Sequence, residues 1–277
     1  TSYMANAAAI KSRLGWSDPA YHLRPGVEAR ATGDITLGAD LNLWTARYAG
    51  EPGALTLRAG GDVKLNANLN DGFTTPAATT VGASSATNID SWSYRIAAGA
   101  AAGAANPLAL APLASLGGKG NLTLANGKLV RTGTGSIEIA AGGDIVAGTD
   151  AVIYTAGTAG ASIPTAEFAA IHTSNNPSFP TRGGDLTLRA QGNISFQRKA
   201  DYTVVDWLWR QGRLKADGTL GNTSNGDNNN TAWWINFPQF KDGVGALGGG
   251  DVTVLAGHDI SGLSVSAPTN ARLKGKD

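Results

Sequence analysis

The chain has 277 residues, room for one large domain or two ordinary ones, and its 42% hydrophobic content rules out wholesale disorder. With 22 basic against 21 acidic residues the net charge is +1, which argues against a general nucleic-acid or anionic-membrane binder. There is no cysteine, so disulfides, thiolate metal ligands and cysteine nucleophiles are excluded, and no apolar run reaches the ~18 residues of a spanning helix. Glycine is the outlying number: 38 residues, about twice the usual share of ~7%, beside only 16% charged residues.

The chain begins at Thr1, and we read it as a piece of a longer protein or a processed product. Residues 1–32 are expected to connect, with a short helix over 5–14 (ANAAAIKSRL) that stops at Gly15. From residue 33 a unit recurs: glycine, then Asp, Asn or Ser, then apolar-polar-apolar. It reads GDITL at 33–37, GDVKL at 61–65, GNLTL at 120–124, GSIEI at 135–139, GDIVA at 143–147, GDLTL at 184–188, GNISF at 192–196 and GDVTV at 250–254. A last copy, HDIS at 258–261, carries His258 in the glycine place.

Alternation of period two is a strand signal, and glycine followed by Asp or Asn supplies the turn before it. Units also pair eight residues apart: Ala54 with Asp62, Ser136 with Asp144, Asp185 with Asn193, Asp251 with Asp259. Strands this short cannot bury a face alone, but stacked coils share a continuous core. The prediction is an all-β chain folded as a parallel β-helix (β-solenoid) over 33–277. A sandwich or barrel is the competing all-β reading. In the stack the turn residues Asp34, Asp62, Asp144, Asp185, Asn193, Asp251 and Asp259 should lie above one another, each side chain bonding to backbone at its corner.

The units are separated by three predicted excursions, at about 66–119, 148–182 and 197–249. The first contains an Ala/Gly-rich stretch (97–118), expected to lie along the coils through Leu108, Leu110 and Leu113. The second has a weak helical patch near Ala166 to Ile171. The third holds two aromatic segments, 201–214 and 232–240, either side of a polar Asn/Gly tip at 221–231, and the aromatic segments are expected to pair as an arm.

Trp207, Trp209, Trp233 and Trp234 fall in the third excursion, where they would serve either as a stacking platform for sugar rings or as glue to the solenoid flank. The turn acids occur one per turn, with Asn and Ser as substitutes, a pattern of turn capping rather than of a regular calcium cage. His22, His172 and His258 lie far apart in sequence without metal-ligand spacing, so no metal site is expected. Asp201 and Asp206 beside Arg210 and Arg213 form the one local cluster suited to a polysaccharide lyase or hydrolase, and their spacing is equally that of a solvated, ion-paired surface. No catalytic residue and no cofactor is assigned.

The stretches YHLRPGVEARATGDITL (21–37) and GALGGGDVTVLAGHDISGLSVSAPTNAR (245–272), with the repeated LTLRAGGDV-like units, resemble the large filamentous-haemagglutinin-type exoproteins of Gram-negative bacteria. The resemblance covers the repeats and both ends. It implies a right-handed β-helix and a secreted or cell-surface fibre acting in attachment, aggregation or biofilm. Export by two-partner secretion through an outer-membrane transporter is implied as well. Expected partners are other copies or segments of the same protein and cell-surface glycans or proteins. No nucleic acid and no membrane span are expected.

Overall fold

A computed structural model describes residues 2–18, 20–78, 90–158, 180–214, 220–221 and 231–268, and over 209–214, 220–221 and 231–234 the backbone alone. Two short helices open the chain, α1 (Ser2–Ala5) and α2 (Ala7–Arg13). Lys11 and Arg13 occupy the last turn of α2, where cations favour the helix dipole. The chain then bends at Gly15, whose φ of 66° suits glycine.

The rest winds as six coils, each contributing one short strand to each of three parallel sheets. Coil 1 holds β1 (Gly26–Ala31), β2 (Ile35–Leu37) and β3 (Leu41–Asn42). Coil 2 holds β4 (Ala54–Ala59), β5 (Val63–Leu65) and β6 (Leu69–Asn70). Coil 3 holds β7 (Ser93–Ala98), β8 (Leu122–Leu124) and β9 (Leu129–Thr132), and coil 4 β10 (Ile137–Ala141), β11 (Ile145–Ala147) and β12 (Val152–Thr155). Coil 5 starts with β13 (Leu186–Ala190) and β14 (Ile194–Phe196) and then leaves the stack. Outside it, β15 (Leu208–Leu214), β16 (Leu220–Gly221) and β17 (Thr231–Ile235) form an antiparallel sheet. The chain rejoins as β18 (Gly243–Ala246) and finishes with coil 6: β19 (Val252–Ala256), β20 (Ile260–Ser261) and β21 (Val265–Ser266). The predicted parallel β-solenoid is the fold.

In-register stacking turns each inward position into a row through the molecule. One row on the first sheet runs Val27, Leu55, Tyr94, Ile137, Leu186, Val252. On the second sheet Ile35, Val63, Leu122, Ile145, Ile194 and Ile260 stand in line. On the third, Leu41, Leu69, Val130, Ile153, Val244 and Val265 do the same. The middle members are buried, and each such aliphatic contributes about 1.5–3 kcal/mol on leaving water. Repetition in the sequence is thus repetition in the core.

The pairs eight residues apart are the first- and second-sheet strands of one coil. The boundaries differ from expectation in four places. Coil 1 begins at Gly26, inside the segment 1–32 read as a connector. Residues 66–119 contain β6 and β7 besides two loops, 148–182 contains β12, and 197–249 contains β18. The reason is that β6, β12 and β18 belong to the third sheet, whose corner carries no glycine-acid mark, while β7 enters the first sheet through Ser91 and Trp92 with no glycine. The helical patch at 166–171 lies outside the described residues.

The Ala/Gly-rich loop after β7 lies along the outer face of the first sheet. Arg58 Nη2 donates to the carbonyls of Ala101 and Ala104 (3.1 and 3.2 Å), and Arg189 Nη2 to that of Leu108 (3.0 Å). Ala97 and Ala140, outward by register between those arginines, are buried beneath it. Leu108 and Leu110 are half-buried, while Leu113 stays exposed.

Candidate functional site

The turn residues form a directional hydrogen-bond ladder up one edge of the solenoid. Asp34 Oδ1 accepts from the backbone N–H of Asp62 (3.0 Å), and Asp62 Oδ1 from that of Asn121 (3.0 Å). Asn121 Oδ1 accepts from Asp144 N–H (2.9 Å), Asp144 Oδ1 from Asn193 N–H (2.6 Å), and Asn193 Oδ1 from Asp259 N–H (3.1 Å). Every coil hands an oxygen to the next. At the neighbouring corner Ser136 Oγ accepts from Asp185 N–H (3.2 Å) and Asp185 Oδ1 from Asp251 N–H (2.9 Å). Either Asp or Asn satisfies this need for an acceptor, which is why the sequence exchanges them.

The ladder also explains the glycine at three of these corners. A Cβ at Gly61, Gly143 or Gly192 would come within 3.0 Å of the Oδ1 of Asp34, Asn121 or Asp144 in the coil before, nearer than real Cβ atoms approach. Lys64 Nζ reaches Asp34 Oδ2 (2.9 Å), and this bond first, then the Asp62 N–H, lowers the Asp34 carboxyl to about 2. Among the described residues no group of three or more His, Asp or Glu is placed to hold a metal ion.

The third excursion is fastened to the outer face of the third sheet by a second hydrophobic core, separate from that of the coils. Phe73, Val152, Tyr154, Trp207, Ile235, Phe237, Phe240 and Leu247 form it. Phe237 meets Phe73 edge-on (5.2 Å, 82°) and stacks on Tyr154 (5.9 Å, 15°), and Trp207 meets Phe240 edge-on (5.0 Å, 81°). Trp207 is only 4% exposed, so it is glue and offers no face to a sugar. The arm itself pairs as expected: β15 runs antiparallel to β17, with Trp209 opposite Trp234 and Arg210 opposite Trp233. The side chains of Trp209, Trp233 and Trp234, like those of Arg210 and Arg213, lie outside the described residues.

Beneath the excursion a cavity of about 280 Å³ is lined by Pro76, Lys128, Arg131, Asp150, Tyr154, Phe237, Phe240 and Lys241, among others. Its lining combines aromatic faces with three cationic side chains and one carboxylate, a composition suited to a small polar ligand. Asp150 is held to Lys199 (3.1 Å) through Oδ2. Arg131 was not singled out from the sequence, yet it ties this region together. It is 2% exposed, its Nε donates to Asn70 Oδ1 (2.5 Å), Nη1 to the Tyr154 hydroxyl (3.0 Å) and Nη2 to the carbonyls of Thr75 and Pro76 (2.7 and 3.0 Å). Its guanidinium also lies 3.6 Å from the centre of the Phe73 ring. The signal available in sequence was an arginine at an outward strand position between two apolar strands, which says nothing of what covers it.

The remaining candidates are dispersed. Asp206 caps its own short 3₁₀ turn, accepting from the N–H and Oγ1 of Thr203 (2.7 and 3.1 Å), so its carboxylate is engaged locally. Asp201 is an exposed turn residue with φ 57°. His22 pairs with Glu51 (2.5 Å), His258 sits exposed at the last corner, and His172 lies outside the described residues. Among the described residues no helix is long and apolar enough to cross a membrane. Compared with models of known families, with curated proteins and with solved structures, the chain matches none.

Proposed function

We propose that the chain is a structural shaft segment of a large secreted Gram-negative adhesin of the filamentous-haemagglutinin type, which holds its excursions at fixed positions for attachment or aggregation. The observation that supports this reading most is the uninterrupted corner ladder from coil 1 to coil 6 over continuous apolar rows, which gives a rigid spacer. The proposal places the protein outside the cell, exported through an outer-membrane transporter. The excursion on the third sheet is then cargo on a scaffold. Fusion of the chain to an outer-membrane anchor tests it: bacteria displaying the chain should attach to host cells or to each other, and those displaying it without 201–240 should not. Attachment at background level by the intact chain would sink the reading.

A second reading, glycan binding by the excursion, is supported by the aromatic and charged lining of its cavity. A glycan array decides it. Binding lost in Lys241→Ala or in Trp233→Ala and Trp234→Ala, with the fold intact, supports it, and an array without signal removes it.

A further inference from the structure

We infer that the cavity beneath the third excursion is a binding site for a hydroxylated carboxylate the size of one sugar ring, a uronate. The inference rests on the glycan reading of the excursion, which it deepens, and is independent of the adhesive one.

The cavity lies in the middle of the stack, between scaffold and excursion. Lys128 and Arg131 come from coil 3, Asp150 and Tyr154 from coil 4, and Phe237 and Lys241 from the segment that leads the excursion back to β18. At about 280 Å³ it falls just below the ~300–1,000 Å³ of ordinary ligand pockets, which leaves room for one ring and not for a chain.

Charge decides the sign of the ligand. Arg131 is buried, and the bonds it donates all go to neutral acceptors: the Asn70 amide, the Tyr154 hydroxyl and the carbonyls of Thr75 and Pro76. Arg131, Lys128 and Lys241 form no ion pair among the described residues. Asp40, whose carboxyl senses Lys128, is itself engaged by the N–H and side chain of Asn68 (2.9 and 3.0 Å). A buried cation without a counter-ion is costly, because little water is left to solvate it. An anion entering the cavity offsets that cost.

Asp150, the one carboxylate among the described lining residues, decides the rest. Its Oδ2 accepts from Lys199 Nζ (3.1 Å), while its Oδ1 is buried without a hydrogen-bond partner. That oxygen repels a bare phosphate or sulfate and calls for a donor, which a sugar hydroxyl supplies. Tyr154 and Phe237 are 1% and 2% exposed and stack on each other, so they offer little ring face to a sugar. Their part is to lower the local dielectric, which strengthens the charged contacts. Recognition is therefore polar: the carboxylate goes toward the half-buried Lys128 and Lys241, and a hydroxyl toward Asp150. Because Lys241 belongs to the excursion and Lys128 to the coils, a bound uronate ties the two together.

The test is isothermal titration calorimetry of the full chain with galacturonate, glucuronate, galactose, acetate and inorganic phosphate. A uronate should bind about tenfold or more tighter than galactose, acetate or phosphate, and should slow proteolysis within 200–242. Lys128→Met and Lys241→Met keep the aliphatic stem and remove the charge. Each should weaken uronate binding about tenfold or more without lowering the thermal midpoint of the free chain, while Lys241→Arg should bind as the wild type does. Trigalacturonate bound as tightly as the monomer assigns the site to a chain end, and binding of the monomer alone assigns it to the free acid; both uphold the proposal. Phosphate bound as tightly as a uronate overturns it, and so does uronate binding unchanged in both methionine variants. Galactose bound with no preference for a uronate leaves the glycan reading standing and removes only this inference, whereas a chain that binds no sugar loses both.

Discussion

The coils and the third excursion are two solutions to burying apolar side chains in one chain. In the coils every contact is repeated: aliphatic rows inside and an oxygen-to-N–H rung at each corner, so no single residue dominates. The excursion is held by one cluster used once, with Phe237 between Phe73 and Tyr154 and Trp207 against Phe240. Distributed and concentrated stabilisation should respond differently to single substitutions. Phe237→Ala is the sharpest probe, because a buried phenylalanine lost from such a cluster costs about 3–5 kcal/mol. Limited proteolysis should then cut within 200–242 before the coils unfold. A single cooperative loss of both regions would break the distinction.

The corner offers the next largest effect and an internal control. Gly192→Val places a side chain where Asp144 Oδ1 lies and should cost about 2 kcal/mol, by forcing that oxygen away from the Asn193 N–H. Gly33→Val, the same change in coil 1, where nothing lies within 4 Å of an added Cβ, should cost almost nothing. Chemical denaturation of the two variants measures the difference directly. Equal losses would mean that the glycines answer to local backbone and not to the coil before.

How far the fold could be read from the sequence follows from the same contrast. Most of the first two sheets was legible because their corners favour glycine followed by an acceptor, written as GD, GN or GS before the alternating run, whereas β1, entered through Pro25 and Gly26, carries no such mark. The third sheet was not. β3, β6 and β21 are only two residues long, and β12 is buried at all four positions because the excursion covers its outer side, so its alternation vanishes. β7 escaped for another reason: its entry runs through Ser91 and Trp92, with Trp92 N–H bonded to the buried Asp71 (2.6 Å), a corner built by a loop partner and not by the repeat. At the candidate site, pairing of the aromatic segments was visible, but the burial of Trp207 and the part played by Arg131 depend on which outer face the excursion meets. Sequence periodicity carries no information on that.

A smaller effect, and of opposite sign, is expected at Tyr94. It stands in an aliphatic row of coil 3, fully buried, with its hydroxyl unpartnered, and burial pushes its phenol well above the ordinary range. Tyr94→Phe deletes the unsatisfied group and keeps the ring. It should raise stability by about 1 kcal/mol, seen as a higher thermal midpoint. An unchanged or lower midpoint would mean that the repeated core tolerates an unpaired hydroxyl at no cost.

The least of these effects is set by pH, which should act on the two regions from opposite sides. Asp34 is held at about 2 against an ordinary 3.8, through Lys64 and then the Asp62 N–H, and Asp40 is lowered by the N–H and side chain of Asn68. A folded value below the unfolded one means stabilisation complete above the ordinary value and lost as pH falls through the folded one, so acid between about pH 4 and pH 2 should loosen the coils. In the excursion Tyr202, whose hydroxyl accepts from Lys241 N–H (3.0 Å), is raised above 10.0 by burial. Its contribution is therefore present below that value and lost as alkaline pH climbs through the folded one. In Tyr94→Phe, which removes the phenol from the coils' inner core, limited proteolysis above pH 10 should cut first in the excursion. Adding Asp34→Asn should flatten the acid limb alone, since Asn keeps the rung to Asp62 and loses only the charge that Lys64 pairs with. An acid limb unchanged by that substitution would transfer the response to other carboxylates, and with it the claim that the corners are where the stack feels protons.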